Sequence, residues 1–153
     1  MSNLIRLKAT FDMQTHRTFD IQANASLEKL AATIIRYYNF DFDHAFGFYD
    51  NLDNPYDSQN CYTLFADMDD IDDDFVTNGG SVRKTKVAQV FQTGTQMIFL
   101  FDYGDDWMFH LTCLDDNVAR VKGKRYPQLV AQEGRAPEQY PDYEEIAEEE
   151  FAE

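Results

Sequence analysis

Seven side chains carry the only pattern in this sequence suited to catalysis: His44, Asp102, Asp105, Asp106, His110, Glu133 and Glu138. Imidazole and carboxylate groups can hold a divalent cation or move protons, provided that they converge. Nothing in their spacing is a local metal motif such as HExxH, so the fold would have to bring them together. A structural reading competes with the chemical one and is preferred. Carboxylates in a Gly-Asp-Asp turn usually accept from nearby backbone amides, and His110 can satisfy a strand edge. Trp107 and Tyr103 read as packing aromatics.

A second acidic group stands apart from this set. Asp67, Asp69, Asp70, Asp72, Asp73 and Asp74 place six acids within eight residues. Started at Asp70, the segment puts Asp72 and Asp74 at the third and fifth positions of a calcium loop. Phe75 then stands where glycine is needed, and Ser81 where glutamate is needed, so it is not an EF-hand. Like charges this dense repel and favour a solvated loop, which is a candidate surface for a partner. Two basic clusters, Arg83 with Lys84 and Lys86, and Arg120 with Lys122, Lys124 and Arg125, read as solvated flanks. No G-x-S-x-G, G-x-G-x-x-G or Walker sequence is present, which removes those routes to a nucleophile or a nucleotide. No cofactor is expected.

The whole chain sets the frame for these groups. It has 153 residues, which predicts one domain, and it is 44% apolar with 13 Phe and 9 Tyr. That composition excludes a wholly disordered chain. Thirteen Lys and Arg stand against 28 Asp and Glu, a net charge of −15. Direct, charge-driven nucleic-acid binding is therefore not expected, because a phosphate-binding surface is basic. Cys61 and Cys113 are far apart and form no CxxC pair. The opening residues MSNLIRLKAT lack an apolar signal core, and the longest strongly apolar run, Met97 to Phe101, is too short for a bilayer. A cytoplasmic location away from membranes is expected.

The elements that must position the candidate residues are legible in places. Ile5, Leu7, Ala9 and Phe11 alternate with Arg6, Lys8 and Thr10, the period of a half-buried strand. A turn at Asp12-Met13-Gln14 leads to a second strand with Phe19 and Ile21 inward. Ser26 is placed to cap a helix, and Leu27, Leu30, Ala31, Ile34, Ile35 and Tyr38 form its apolar stripe up to a stop at Asn39. A strand from Ala45 to Tyr49 follows, and Cys61 to Phe65 reads as a short strand. Asn78-Gly79-Gly80 reads as a loop and Lys84 to Phe91 as a short helix. Met97 to Tyr103 and Trp107 to Leu114 form the strongest hairpin signal, joined by a tight turn at Gly104-Asp105. Beyond Arg120 the chain turns polar, and residues 144–153 read as an acidic tail after a single domain of residues 1–143.

Three segments, in order, carry a resemblance. They are Asp43-His44-Ala45-Phe46-Gly47-Phe48, the turn Phe101-Asp102-Tyr103-Gly104-Asp105-Asp106-Trp107-Met108-Phe109-His110, and the run Tyr126-Pro127-Gln128-Leu129-Val130-Ala131-Gln132-Glu133-Gly134-Arg135-Ala136-Pro137-Glu138. Together they resemble the Ri-plasmid ORF-3-like family, whose members are encoded on plasmids, mobile elements and microbial chromosomes. The second segment, a YDFGDDW-type turn with its following histidine, is the specific part. The resemblance implies an α+β fold: a β-grasp-like mixed sheet with a packed helix, extended by a C-terminal β-hairpin. It supplies no reaction. Where the family's third segment carries cysteines, Arg135 to Tyr140 has one proline and no cysteine, so no thiol role carries over.

Two functions follow as expectations. The preferred one is an acidic interaction module that docks a basic protein, or mimics nucleic acid to occupy a protein that binds it. The other is a small metal-dependent or acid–base enzyme built on the seven-residue set.

Overall fold

In a computed structural model, residues 3–63, 78–137 and 139 are described. Two strands open the chain, β1 (Leu4–Asp12) and β2 (Thr15–Gln22), paired antiparallel as a hairpin with Leu7 opposite Phe19. Helix α1 (Leu27–Tyr37) follows. The Ser26 side chain accepts from the Lys29 amide, and Glu28 sits in the first turn, favourable beside the positive helix end. The helix ends at Tyr37 with Tyr38 as its C-cap, and Asn39 follows in left-handed conformation at φ 59°. Its stripe of Leu27, Leu30, Ala31, Ile34 and Ile35 is buried, and Tyr38 continues it.

The remaining strands complete one sheet. They are β3 (Phe46–Tyr49), β4 (Asn60–Thr63), β5 (Asn78–Ser81), β6 (Gln96–Phe101), β7 (Trp107–Val118) and β8 (Gln128–Glu133). The eight strands run in the order β5-β4-β3-β6-β7-β1-β2-β8. Every pairing is antiparallel except β4 with β5, so the sheet is mixed. A helix packed on such a sheet, with β6 and β7 as a hairpin, is the expected α+β, β-grasp-like arrangement.

Strand alternation sorts side chains onto two faces. Toward α1 point Ile5, Leu7, Phe19, Phe46, Phe48, Phe99, Phe101, Phe109 and Leu111, all in one buried core. Trp107 packs edge-on to Phe40 at 4.9 Å between ring centroids. The other face carries a smaller cluster of Tyr49, Cys61, Leu100 and Tyr103.

Three local readings are corrected. Asn78-Gly79-Gly80 is not a loop but most of β5, held by parallel pairing to β4 in spite of glycine's poor strand propensity. The helix expected over Lys84 to Phe91 shrinks to one turn, α2 (Val87–Val90), because Lys86 instead bridges to Ser26 in extended conformation. The β6–β7 connection is not a two-residue turn at Gly104-Asp105. Phe101 pairs with Trp107, leaving five residues between, and the left-handed positions are Asp102 (φ 65°) and Asp106 (φ 52°). The polar stretch beyond Arg120 includes β8, an edge strand whose side chains are mostly exposed.

Candidate functional site

The sheet divides the candidate residues between its two sides. His44 lies just before β3, with its ring edge-on to Phe101 on the helix side. Its Nε2 is 3.4 Å from Asp102 Oδ2 and 3.6 Å from Asp43 Oδ1. With Glu28, Phe42, Ala45, Phe46 and Arg83, His44 and Asp43 line a cleft of about 470 Å³. Arg83 donates to Glu28 across 3.0 Å.

Asp102 is buried and organises the β6–β7 turn. Its Oδ1 accepts from the Gly104 amide at 3.1 Å and the Asp105 amide at 3.4 Å. Its own amide donates to the Ala45 carbonyl at 2.9 Å, and its carbonyl accepts from the Asp106 amide at 2.6 Å. These bonds are what hold two non-glycine residues at positive φ, a conformation aspartate tolerates better than most. Asp105 and Asp106 are exposed on the turn.

His110 and Glu133 belong to the opposite face. Cross-strand register aligns Tyr49, Ile98, His110, Thr10, His16 and Glu133 in one row. His110 Nε2 lies 2.7 Å from Gln96 Oε1. Glu133 meets His16 Nε2 at 3.0 Å. The fold thus joins His44 with Asp102, puts Asp105 and Asp106 on the same turn, and sets His110 and Glu133 apart with other partners. Among the described residues, no three His, Cys, Asp or Glu side chains gather to hold a metal ion. Glu138 and the segment Asp67, Asp69, Asp70, Asp72, Asp73 and Asp74 lie outside the described residues.

A different group on the outer face was not singled out by its residue types. The hydroxyls of Tyr49 and Tyr103 meet at 2.6 Å. Tyr56, in a single 3-10 turn (Pro55–Asp57), packs beside both rings, with centroids 6.3 Å from Tyr49 and 6.4 Å from Tyr103. Its hydroxyl donates to Asp106 Oδ1 at 2.9 Å. Burial raises the Tyr49 and Tyr103 phenols above their ordinary range. Desolvation, helped by Asp106, pushes Tyr56 up to about 12. The three are therefore neutral hydroxyls at physiological pH. Tyr49, Tyr56 and Tyr103 are too far apart in sequence to form a motif, and the only sequence signal was the aromatic content of β3 and the turn.

The family model described as "Plasmid pRiA4b ORF-3-like protein" matches residues 4–148, nearly the whole chain. The chain belongs to this family. The fold of this ORF-3-like protein is similar to the crystal structure of protein of unknown function MM3350 from Methanosarcina mazei Go1. The TM-score is 0.69 at 19% identity, over 99% of this chain and 82% of the other. That likeness concerns the fold. No curated protein matches the ORF-3-like chain. Among its described residues, no helix is long and apolar enough to cross a membrane.

Proposed function

We propose that this ORF-3-like protein is an acidic interaction module that docks a basic protein partner. The observation that carries the reading is the segregation of its charge. All thirteen Lys and Arg lie outside residues 64–77 and 138–153, whereas fourteen of the 28 acids lie inside those two stretches. The net charge of −15 is thus concentrated in two stretches of chain rather than spread evenly. Concentrated charge of one sign draws an oppositely charged surface into encounter and disfavours like-charged partners. The division of the candidate acid–base residues between two sides of the sheet favours this reading over the metal-dependent or acid–base alternative.

The test is capture of partners by the tagged full chain from its native host, followed by titration of the purified partner at rising salt. A basic partner is expected, with affinity falling steeply between 0.05 and about 0.5 M NaCl as screening shortens. Replacing Asp67, Asp69, Asp70, Asp72, Asp73 and Asp74 by Asn should weaken it. A partner without basic character, or binding indifferent to salt and to those substitutions, would sink the reading. If the captured protein itself binds nucleic acid, competition by duplex DNA or RNA decides whether the acidic stretches act as a mimic.

A further inference from the structure

The outer-face tyrosines have a construction that packing alone does not account for. Tyr49 and Tyr103 are pinned by their shared hydroxyl bond, and both lie against Leu100. Tyr56 is different: it is 60% exposed, yet its ring is held beside the other two and its hydroxyl is tied to Asp106. Fixing a surface tyrosine costs side-chain freedom, and burial of so open a ring returns little. A held, open aromatic face is instead suited to receiving a flat or cationic group.

Charge identifies which group. Asp57 follows Tyr56 directly, and Asp105 and Asp106 stand on the turn that Tyr56 touches. All three are exposed, and among the described residues none of them pairs with a Lys or Arg. A guanidinium is planar, stacks on aromatic faces, and presents donors at its edge to carboxylates. An ammonium supplies the charge but not the flat face. We propose that the open ring of Tyr56, with the Asp106 carboxylate beside it, receives an arginine side chain of the basic partner. This rests on the docking reading and names the contact that would give it specificity beyond long-range attraction.

The experiment titrates the full chain with nona-arginine and nona-lysine peptides at 0.15 M NaCl, by calorimetry. Nona-arginine is expected to bind about fivefold more tightly than nona-lysine, the scale of a partly exposed cation–π contact. In Tyr56→Ala that preference should collapse toward equality, mostly through weaker nona-arginine binding. Tyr56→Phe keeps the ring and should keep the preference, while Asp106→Asn should reduce it. Thermal melts confirm that each variant is folded. Equal affinities in the parent chain, or a preference that survives Tyr56→Ala, would overturn the arginine site while leaving salt-sensitive docking intact. Failure of both peptides to bind at all would overturn the docking reading together with the site.

Discussion

The Tyr49 and Tyr103 hydroxyls meet at 2.6 Å directly above Gly47. Tyr103 reaches that position because Asp102, at φ 65°, turns the chain back over the outer face. Asp102 is held in turn by the Ala45 carbonyl and approached by His44 from the helix side. One buried aspartate thereby links the candidate histidine on one side of the sheet to the tyrosines on the other.

Gly47 is required by that arrangement. A Cβ there would lie 2.8 Å from both Tyr103 Oη and Tyr49 Cε2. Rings locked by a mutual hydrogen bond have little freedom to give way, so Gly47→Ala should destabilise by about 1–3 kcal/mol, the range of overpacking. Urea unfolding measures it. A variant as stable as the parent would show that the tyrosine pair yields freely.

Stability should fall at alkaline pH, and the order of events follows from burial. Cys113 is pushed by burial from 9.0 to about 11. Tyr38 is pushed by burial from 10.0 to about 12, and burial also raises Tyr49 and Tyr103. Between the ordinary and the raised values the folded state keeps protons that the unfolded chain has released. Stability is therefore complete below about pH 9 and declines as pH rises, more steeply above 10. Thermal midpoints from pH 7 to 11.5 test this, and Tyr103→Phe should make the decline shallower. A midpoint that holds level to pH 11.5 would contradict it.

Legibility in the sequence tracked burial on one face. In β1, every second residue is apolar because one side meets α1, and the same contact imposes the helical stripe from Leu27 to Tyr38. The edges gave no such signal. In β8, exposure leaves Gln128 to Glu133 without apolar alternation. In β5, two of four residues are glycine, and their pairing with Cys61 and Tyr62 is a tertiary fact. The same limit applies to the site. His44 and Asp102 come together because β3 and β6 pair, and the tyrosine group depends on a loop crossing the outer face from Tyr49 to Tyr56.

Gly134 offers a sharper test of how β8 is attached. It sits at φ 80°, and a Cβ would collide with the Gln14 carbonyl oxygen and lie 2.7 Å from Thr15 Cα. Backbone atoms cannot retreat as a flexible side chain does. Gly134→Ala should cost about 2–4 kcal/mol, combining left-handed strain with the clash. Amide exchange in β8 should quicken more than in β6 or β7. Uniform exchange at unchanged stability would mean that the β1–β2 turn moves aside.

Arg17 should prove the most costly polar residue to remove. Its side chain is on the helix side of β2 and only 4% of the residue is exposed. The guanidinium donates through Nε to the Tyr37 carbonyl at 3.2 Å, and through Nη1 to the carbonyls of His16 at 2.9 Å and Glu133 at 2.8 Å. It also lies over the Tyr38 ring, 4.9 Å from the centroid. Among the described residues no carboxylate pairs with it. A cation near the carbonyl end of α1 is favoured by the helix dipole, and the aromatic face adds to that. One side chain thus joins β2, the end of α1 and the end of β8. Arg17→Leu keeps much of the volume but strands carbonyls that the guanidinium had satisfied, at about 1–3 kcal/mol for each group left without water or partner. Water reaches the β8 edge more easily than the helix end, so the total should be about 3–4 kcal/mol rather than the full sum. Arg17→Lys, with a point charge that cannot span three carbonyls, should recover only part of this. Urea unfolding of the two variants decides it: a loss below about 1 kcal/mol in Arg17→Leu, or full recovery in Arg17→Lys, would show that the fork geometry is not what binds these elements.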